Sequence, residues 1–232
     1  MGYVSQIETM GLVDGPGIRT VIFLSGCHLR CLYCHNPEMW HLKQGTPMSP
    51  EQIVDLAKRY KNYYGKEGGV TFSGGEPLLQ PTFLIQTMQL CHQNGINTCL
   101  DTAGVGTKYD EEVLQHTDLV ILDIKSSMAG RYQYITSKDI KTFNKFLALC
   151  QKLHKPLWLR QVIVPGINDT PEAILALNDF IKTIDNVQKV ELIPYHTYGK
   201  EKYHKLGLDY PLANTPAMDL DKLQELNKLL NN

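Results

Sequence analysis

The chain has 232 residues, of which 43% are hydrophobic and 20% charged, which suits one sizeable core better than two, so we expect a single domain over 1–232. Its 23 Lys and Arg residues nearly balance 24 Asp and Glu residues, and no basic run stands out, which excludes the electrostatic signature of a nucleic-acid-binding protein. The start lacks a basic end followed by an apolar run, and no long apolar stretch occurs elsewhere, so we expect a cytoplasmic protein without a membrane partner.

Six short apolar segments alternate with stretches of helical periodicity, a pattern typical of βα units around a parallel sheet. In chain order the predicted strands are RTVIFLSG, GGVTFSGG, INTCLDTAG, DLVILDIK, PLWLRQVIVPG and KVELIPYH. A capping side chain followed by proline favours helix initiation, so Ser49 and Pro50 predict the start of the first helix, and Thr170 and Pro171 that of the fifth. An amphipathic helix is predicted near 217–231. The α/β fold class follows, as a doubly wound open sheet or as a barrel short of eight strands.

Both architectures place their site at the carboxyl ends of the strands. The motifs that follow the six predicted strands are, in order, the cysteine cluster, SGGEP, DTAG, the end of DIK, VPG and PYH. Metal ligands, glycines, carboxylates, a lysine and a histidine are therefore expected at one rim.

The cluster loop, 25–40, places three cysteines at the spacing Cys-x3-Cys-x2-Cys; they are Cys27, Cys31 and Cys34. Soft thiolates select zinc or iron–sulfur clusters. Zinc would be completed by His28 or His35 in a Cys3His site. A 4Fe-4S cluster fits the compact spacing better, and three cysteines leave one of its irons open to an exogenous ligand. The scattered cysteines are expected to be buried small hydrophobes; they are Cys91, Cys99 and Cys150.

With Tyr33 just before its last cysteine, this spacing resembles the mark of the radical SAM superfamily. The resemblance implies that Cys27, Cys31 and Cys34 hold the cluster and that S-adenosylmethionine chelates the open iron. One electron then cleaves the sulfonium to methionine and a 5′-deoxyadenosyl radical, which abstracts hydrogen. The fold implied is a partial (β/α)6 radical SAM barrel.

Longer stretches resemble the glycyl-radical-enzyme activating family, and most of all its pyruvate formate-lyase branch. In order and spacing they are VDGPGIRTVIFLSGC, YCHNPE, GGVTFSGGEPLLQ, WLRQVIVPGINDT and VELIPYHTYGK. The resemblance implies a radical SAM oxidoreductase that makes a stable glycyl radical on pyruvate formate-lyase, with flavodoxin or ferredoxin as electron donor. We expect a monomer.

The same resemblance implies the residues that contact the cofactor, which are Tyr33, Cys34, His35, Gly75, Asp123, Ile124, Lys125 and His196. Asp123 and Lys125 are two residues apart, so they project to one side of a strand; a surface ion pair is the alternative. The glycines of SGGEP let backbone approach a ligand closely, although a strand-ending turn is the simpler interpretation.

Two further assignments are expectations of the same kind. Asp101, Thr102 and the carbonyl of Ile121 are implied to hold a monovalent cation, with an Asx-type turn as the alternative. Asp14, which precedes a Gly-Pro-Gly turn, is expected to orient the substrate protein. The alternative is that this loop only starts the fold, with Arg19 in a structural ion pair.

Ala103 and the segment after Lys125 depart from the usual pyruvate formate-lyase pattern, which leaves open the identity of the activated protein. Three alternatives therefore stand beside the main hypothesis. They are an activator of another glycyl radical enzyme, a small-molecule radical SAM enzyme of the 7-carboxy-7-deazaguanine synthase type, and a zinc-binding module.

Overall fold

Strands and helices alternate along most of the chain, of which a computed structural model describes residues 1–230. The strands found in this range are β1 (Gly2–Gly11), β2 (Arg19–Leu24), β3 (Thr46–Met48), β4 (Gly69–Gly74), β5 (Asn97–Thr102), β6 (Leu119–Asp123), β7 (Leu157–Ile163) and β8 (Val187–Pro194). The α-helices in the same range are α1 (Pro50–Tyr60), α2 (Pro81–Gln93), α3 (Asp110–Gln115), α4 (Ala129–Thr136), α5 (Lys141–Lys152), α6 (Pro171–Ile181), α7 (Lys200–Lys205) and α8 (Leu220–Asn227).

The chain folds into two compact units, each built from three separate stretches. The stretches of the first unit are Met1–His28, Met39–Leu122 and Lys141–Leu157. Those of the second unit are Leu29–Glu38, Asp123–Ile140 and the chain from Trp158 onward. The single domain over 1–232 stays a prediction.

The first unit is built on a mixed sheet in which the strands follow the order β3-β1-β2-β4-β5-β6. β2, β4, β5 and β6 run parallel, with Ile22 beside Phe72 and Leu100 beside Val120. These four side chains are fully buried, because helices after each strand cover a parallel sheet. β1 pairs antiparallel with both β2 and β3.

Both predicted helix starts are confirmed. The Ser49 side chain accepts a hydrogen bond from the Gln52 N–H, and the Gln52 side chain accepts one from the Ser49 N–H, which closes a capping box before α1. Thr170 accepts from the Ala173 N–H at the start of α6. This helix is the sixth rather than the fifth, because the connection from β6 to β7 contains both α4 and α5.

All six predicted strands are present, as β2 and β4 to β8. β1 and β3 were not predicted. α8 lies inside the range 217–231 proposed for the final helix, and residue 231 lies outside the described residues.

Backbone hydrogen bonds hold the second unit together near its first stretch. The Arg30 and Leu32 N–H groups donate to the carbonyls of Thr136 and Ile135, with N···O distances of 2.9 and 3.0 Å. The start of this stretch therefore lies against the C-terminal end of α4. Within the described range, the helices are all too short or too polar to cross a bilayer.

Candidate active site

In the first unit, the backbone around Cys27 packs tightly against the SGGEP turn. The Gly75 N–H donates to the Leu24 carbonyl and the Glu76 N–H donates to the Gly26 carbonyl, at 2.8 and 2.7 Å. A Cβ on Gly75 would lie 2.4 Å from the Gly26 oxygen. Gly75 is therefore required by the close approach of two backbone segments, and its contact to the cofactor stays a prediction.

Glu76 joins the SGGEP turn to the DTAG loop, although it is only 1% exposed. Its carboxylate accepts from the Thr102 hydroxyl at 2.6 Å and from the N–H groups of Leu78, Ala103 and Val105. Burial raises the pKa of Glu76 to about 7, and these hydrogen bonds oppose that rise. The carboxylate thus fixes the ends of two adjacent strands.

The three residues predicted to hold a cation are neighbours in the same unit. Asp101 is the register partner of Ile121 across β5 and β6, and Thr102 follows Asp101. Asp101 Oδ2 accepts from the Ser73 hydroxyl at 2.7 Å, and Thr102 Oγ1 accepts from the Gly104 N–H at 2.9 Å. The three residues are neighbours in the sheet, and cation binding stays a prediction.

Arg19 holds the loop that contains Asp14. The fully buried guanidinium of Arg19 donates to the Thr71 hydroxyl at 2.6 Å, to Asn97 Oδ1 at 2.9 Å, and to three backbone carbonyls. All five of these hydrogen-bond partners are neutral groups. Thr71 in turn donates to the Asp14 carbonyl at 2.7 Å. The side chain of Asp14 is half-buried.

In the second unit, Lys125 links the DIK segment to the cluster loop. Its Nζ lies 2.9 Å from Asp123 Oδ2 and 5.6 Å from the centroid of the Tyr33 ring. Arg160 Nε lies 3.6 Å from Asp123 Oδ1. The Lys125 side chain is only 11% exposed, so the pair is largely buried and not the surface pair of the alternative interpretation.

These charges set one another's protonation states. Burial alone would raise the pKa of Asp123, but Lys125 and Arg160 outweigh it and hold that pKa below its usual range. Burial opposes the charge on Lys125, yet Asp123 keeps the pKa of Lys125 well above its usual value. Burial raises the pKa of the Cys31 thiol to about 11, partly offset by Lys125. The positive charge of Lys125 therefore favours ionisation of a predicted thiolate ligand.

His35 and His196, both predicted cofactor contacts, are stacked on each other. Their ring centroids are 3.8 Å apart with planes at 14°, and the His35 Nε2–H donates to the His196 carbonyl at 2.9 Å. Burial lowers the pKa of both rings, that of His35 to about 4, so both are neutral near pH 7. His196 Nδ1 is buried without a hydrogen-bond partner among the described residues. It offers an unused polar atom to a ligand.

The cysteines divide as expected from their sequence context. Cys91, Cys99 and Cys150 are fully buried, which confirms them as small core residues. The three cluster-loop cysteines are half-buried, and in the described chain none of the six forms a disulfide. No three His, Cys, Asp or Glu side chains among residues 1–230 are arranged to hold one metal ion. The ligand assignment stays a prediction.

Several residues in these networks were missed from the sequence. Glu76 lies inside the SGGEP motif, and its position before a proline was a usable signal for a cap. Arg160 gave no signal, because its partner Asp123 is far away in the sequence. Ile124, a predicted cofactor contact, is buried and its N–H donates to the Arg160 carbonyl at 2.7 Å.

A family model described as "4Fe-4S single cluster domain" matches residues 13–145, a range that contains the three cluster-loop cysteines. The chain is also 51% identical over 231 residues to a protein of Clostridium pasteurianum named pyruvate formate-lyase-activating enzyme. That alignment covers 99% of this chain and 97% of the relative.

Solved structures share the fold at lower identity. A domain of pyruvate-formate lyase-activating enzyme from Bacteroides vulgatus is 24% identical, with a TM-score of 0.57 over 70% of this chain and 92% of that one. A radical SAM methyltransferase from Sphaerobacter thermophilus is 14% identical, with a TM-score of 0.65 over 91% of this chain and 63% of that one. The predicted α/β fold class, a partial radical SAM barrel, is thereby confirmed.

Proposed function

Because the chain belongs to the 4Fe-4S single-cluster family and, within it, to the pyruvate formate-lyase-activating enzymes, we propose that it makes a glycyl radical on pyruvate formate-lyase. When bound, a reduced 4Fe-4S cluster supplies one-electron cleavage of S-adenosylmethionine, which leads to hydrogen abstraction from a backbone glycine. We assign the cluster to Cys27, Cys31 and Cys34.

The residues of the second unit fit such a cluster. The Cys31 thiol needs a strong positive charge to ionise, because burial raises its pKa to about 11. A coordinating iron supplies that charge and deprotonates a thiol outright. Lys125 adds a fixed positive charge nearby. The donor set is soft, as suits an iron–sulfur cluster.

The observation that carries the proposal is the placement of Lys125. Its ammonium is held by Asp123 and lies over Tyr33, the residue before Cys34. A lysine held in this way can bind a carboxylate or ribose hydroxyl without reorganising, because its position is already fixed by the ion pair. We assign cofactor binding to this pair together with Ile124, the neutral rings of His35 and His196, and Gly75.

The remaining assignments concern a cation, the contact with the substrate protein, the electron donor and the oligomeric state. Asp101, Thr102 and the Ile121 carbonyl supply hard oxygens suited to a monovalent cation. Asp14 extends from a loop held by Thr71 and would orient the incoming glycine segment. Flavodoxin or ferredoxin is assigned as electron donor, and the protein is assigned as a cytoplasmic monomer.

The test is anaerobic activation of pyruvate formate-lyase. The cluster-loaded protein, reduced with dithionite, is mixed with S-adenosylmethionine and pyruvate formate-lyase. We expect 5′-deoxyadenosine by chromatography and a glycyl radical signal by electron paramagnetic resonance. Deoxyadenosine without a radical would move the substrate to another glycyl radical protein, and bound zinc without iron would support the binding module instead.

A further inference from the structure

The part of the cluster loop after Cys34 is held by a side chain from α7. Lys202 Nζ lies 2.8 Å from Asn36 Oδ1 and 2.5 Å from Glu38 Oε1. Asn36 and Glu38 follow Cys34 by two and four positions. One ammonium therefore bridges two points on the chain that leaves the predicted ligand.

The two ends of this stretch are fixed by different means. Arg30 and Leu32, before Cys34, are fixed by backbone hydrogen bonds to the end of α4. After Cys34, the contacts seen in the second unit come from the segment that starts at Tyr195. His35 stacks on His196, and a Cβ on Gly199 would lie 3.2 Å from the Cys34 carbonyl oxygen. Unlike the His35 stack and the Gly199 approach, the Lys202 bridge pairs two opposite charges.

The side chains of Lys202 and Glu38 are 42% and 35% exposed, so water screens part of the bridge, but one oxygen of Glu38 is shielded. Its Oε2 is buried without a hydrogen-bond partner among the described residues, so the carboxylate is partly removed from water. Loss of the ammonium would leave that carboxylate without its counter-ion, and the cost would fall on the shielded oxygen, since solvent screens the rest of the group. The loop would then move to rehydrate Glu38, and Cys34 would move with it.

We propose that Lys202 is a positioning residue that holds the loop after Cys34 in place before the cluster arrives. It acts through Asn36 and Glu38, which set the path of the backbone leaving the Cys34 thiol. The proposal rests on the proposed function only for the identity of the group that Cys34 binds.

The first test uses the metal-free protein, so its result does not depend on cluster chemistry. Hydrogen–deuterium exchange is compared in the peptides that cover 29–38. Lys202→Met should speed exchange after Cys34 about fivefold or more, and Lys202→Arg should restore it. Lys205→Met, an exposed lysine of the same helix, is the matched control and should match the unmodified protein.

Glu38→Gln tests the same contact from the loop side and remains available if Lys202→Met does not fold. In the background of Glu38→Gln, adding Lys202→Met should have a smaller effect than alone, because the desolvated charge is already gone. Unchanged exchange in both single variants would overturn the proposal.

The second test follows the loaded protein. We expect Lys202→Met to lose iron to a chelator several-fold faster and to broaden the paramagnetic resonance signal of the reduced cluster, with both restored in Lys202→Arg. The proposal would also be overturned if the cluster of Lys202→Met lost iron as slowly, and gave as sharp a resonance signal, as the cluster of Lys205→Met. If no variant binds iron, the proposed function fails while the exchange result still decides the role of Lys202.

Discussion

The hydroxyl of Thr102 donates a hydrogen bond of 2.6 Å to the buried carboxylate of Glu76. This bond ties the DTAG loop to the SGGEP turn, two motifs predicted to serve the same site. The carboxylate also accepts hydrogen bonds from three backbone N–H groups, so its loss would leave three buried donors and one half-buried donor, the Val105 N–H, without an acceptor.

Glu76→Ala should therefore lower the free energy of unfolding by about 3 kcal/mol or more, since each stranded buried donor costs about 1–3 kcal/mol before relaxation. Urea denaturation of the metal-free protein measures it. Glu76→Gln keeps one acceptor oxygen, so its free energy of unfolding should lie between those of the unmodified protein and Glu76→Ala. A midpoint unchanged in Glu76→Ala would mean that water replaces the carboxylate at no cost.

Cluster content should depend on three cysteines and not on the others. Alanine at Cys27, Cys31 or Cys34 should remove most iron and sulfide after anaerobic reconstitution, because each thiolate holds one iron. Cys150→Ala, in the core, is the control and should keep the brown colour. Iron retained in Cys31→Ala and lost in Cys150→Ala would reverse the assignment.

Lys125→Met should keep the cluster and weaken binding of S-adenosylmethionine at least tenfold, which is about 1.4 kcal/mol. Asp123 would still have Arg160 at 3.6 Å, so the site should not collapse. Anaerobic calorimetry with the loaded protein gives the dissociation constant, and the exposed Lys138→Met is the control. Unchanged affinity would leave the ion pair with a purely structural role.

Asp14→Ala should preserve the cluster and cofactor binding but lower the glycyl radical yield severalfold. The loop should keep its shape, because Thr71 donates to the Asp14 backbone carbonyl rather than to its side chain. Electron paramagnetic resonance after mixing with pyruvate formate-lyase measures the yield, with the exposed Asp55→Ala as control. A full yield would remove Asp14 from the substrate contact.

Stability should fall as the pH rises from about 4 to 6 through the titration of Asp110. Burial raises the pKa of Asp110 from 3.8 to about 6, against one hydrogen bond from the Thr107 N–H. The folded state thus binds a proton that the unfolded state has lost, and this contribution disappears as pH passes the folded pKa.

Asp110→Asn keeps an acceptor for Thr107 and removes the titration. Because the carboxyl is partly exposed, we discount the shift and expect the variant to be about 1 kcal/mol more stable at pH 7.5 and equal near pH 4. Urea titrations at both pH values measure it, with Asp55→Asn as control. Parallel pH profiles for Asp110→Asn and the unmodified protein would refute the assignment.

β2, β4, β5 and β6 were predictable because parallel strands covered on both faces are almost continuously apolar. β7 alternates between buried and half-buried residues, and β8 has a single buried residue. β1 was not predictable, because a bulge between Val4 and Gln6 breaks its pairing with β2. The bulge shifts the apolar positions out of strict alternation, so Val4 and Ile7 are three residues apart and lack the period of two. β3 has only three residues, too few to show any period.

Some parts of the candidate site were likewise predictable from the sequence and others were not. The cysteine spacing and the Asp123–Lys125 pair were visible because their members are close in sequence. The bridge between Lys202 and Glu38 joins residues 164 positions apart, and Arg160 reaches Asp123 from another strand. No local pattern encodes such pairs, since each side chain alone looks like an ordinary surface charge.

The interleaving of the second unit sets an order of events during biosynthesis. The stretch that carries Cys31 and Cys34 is translated before the residues that hold its far end, because His196 and Lys202 follow their partners in the loop by 161 and 164 positions. A growing polypeptide can complete a folding unit only when all its parts have left the ribosome. The loop can therefore take the path described here only after His196 and Lys202 have been synthesised.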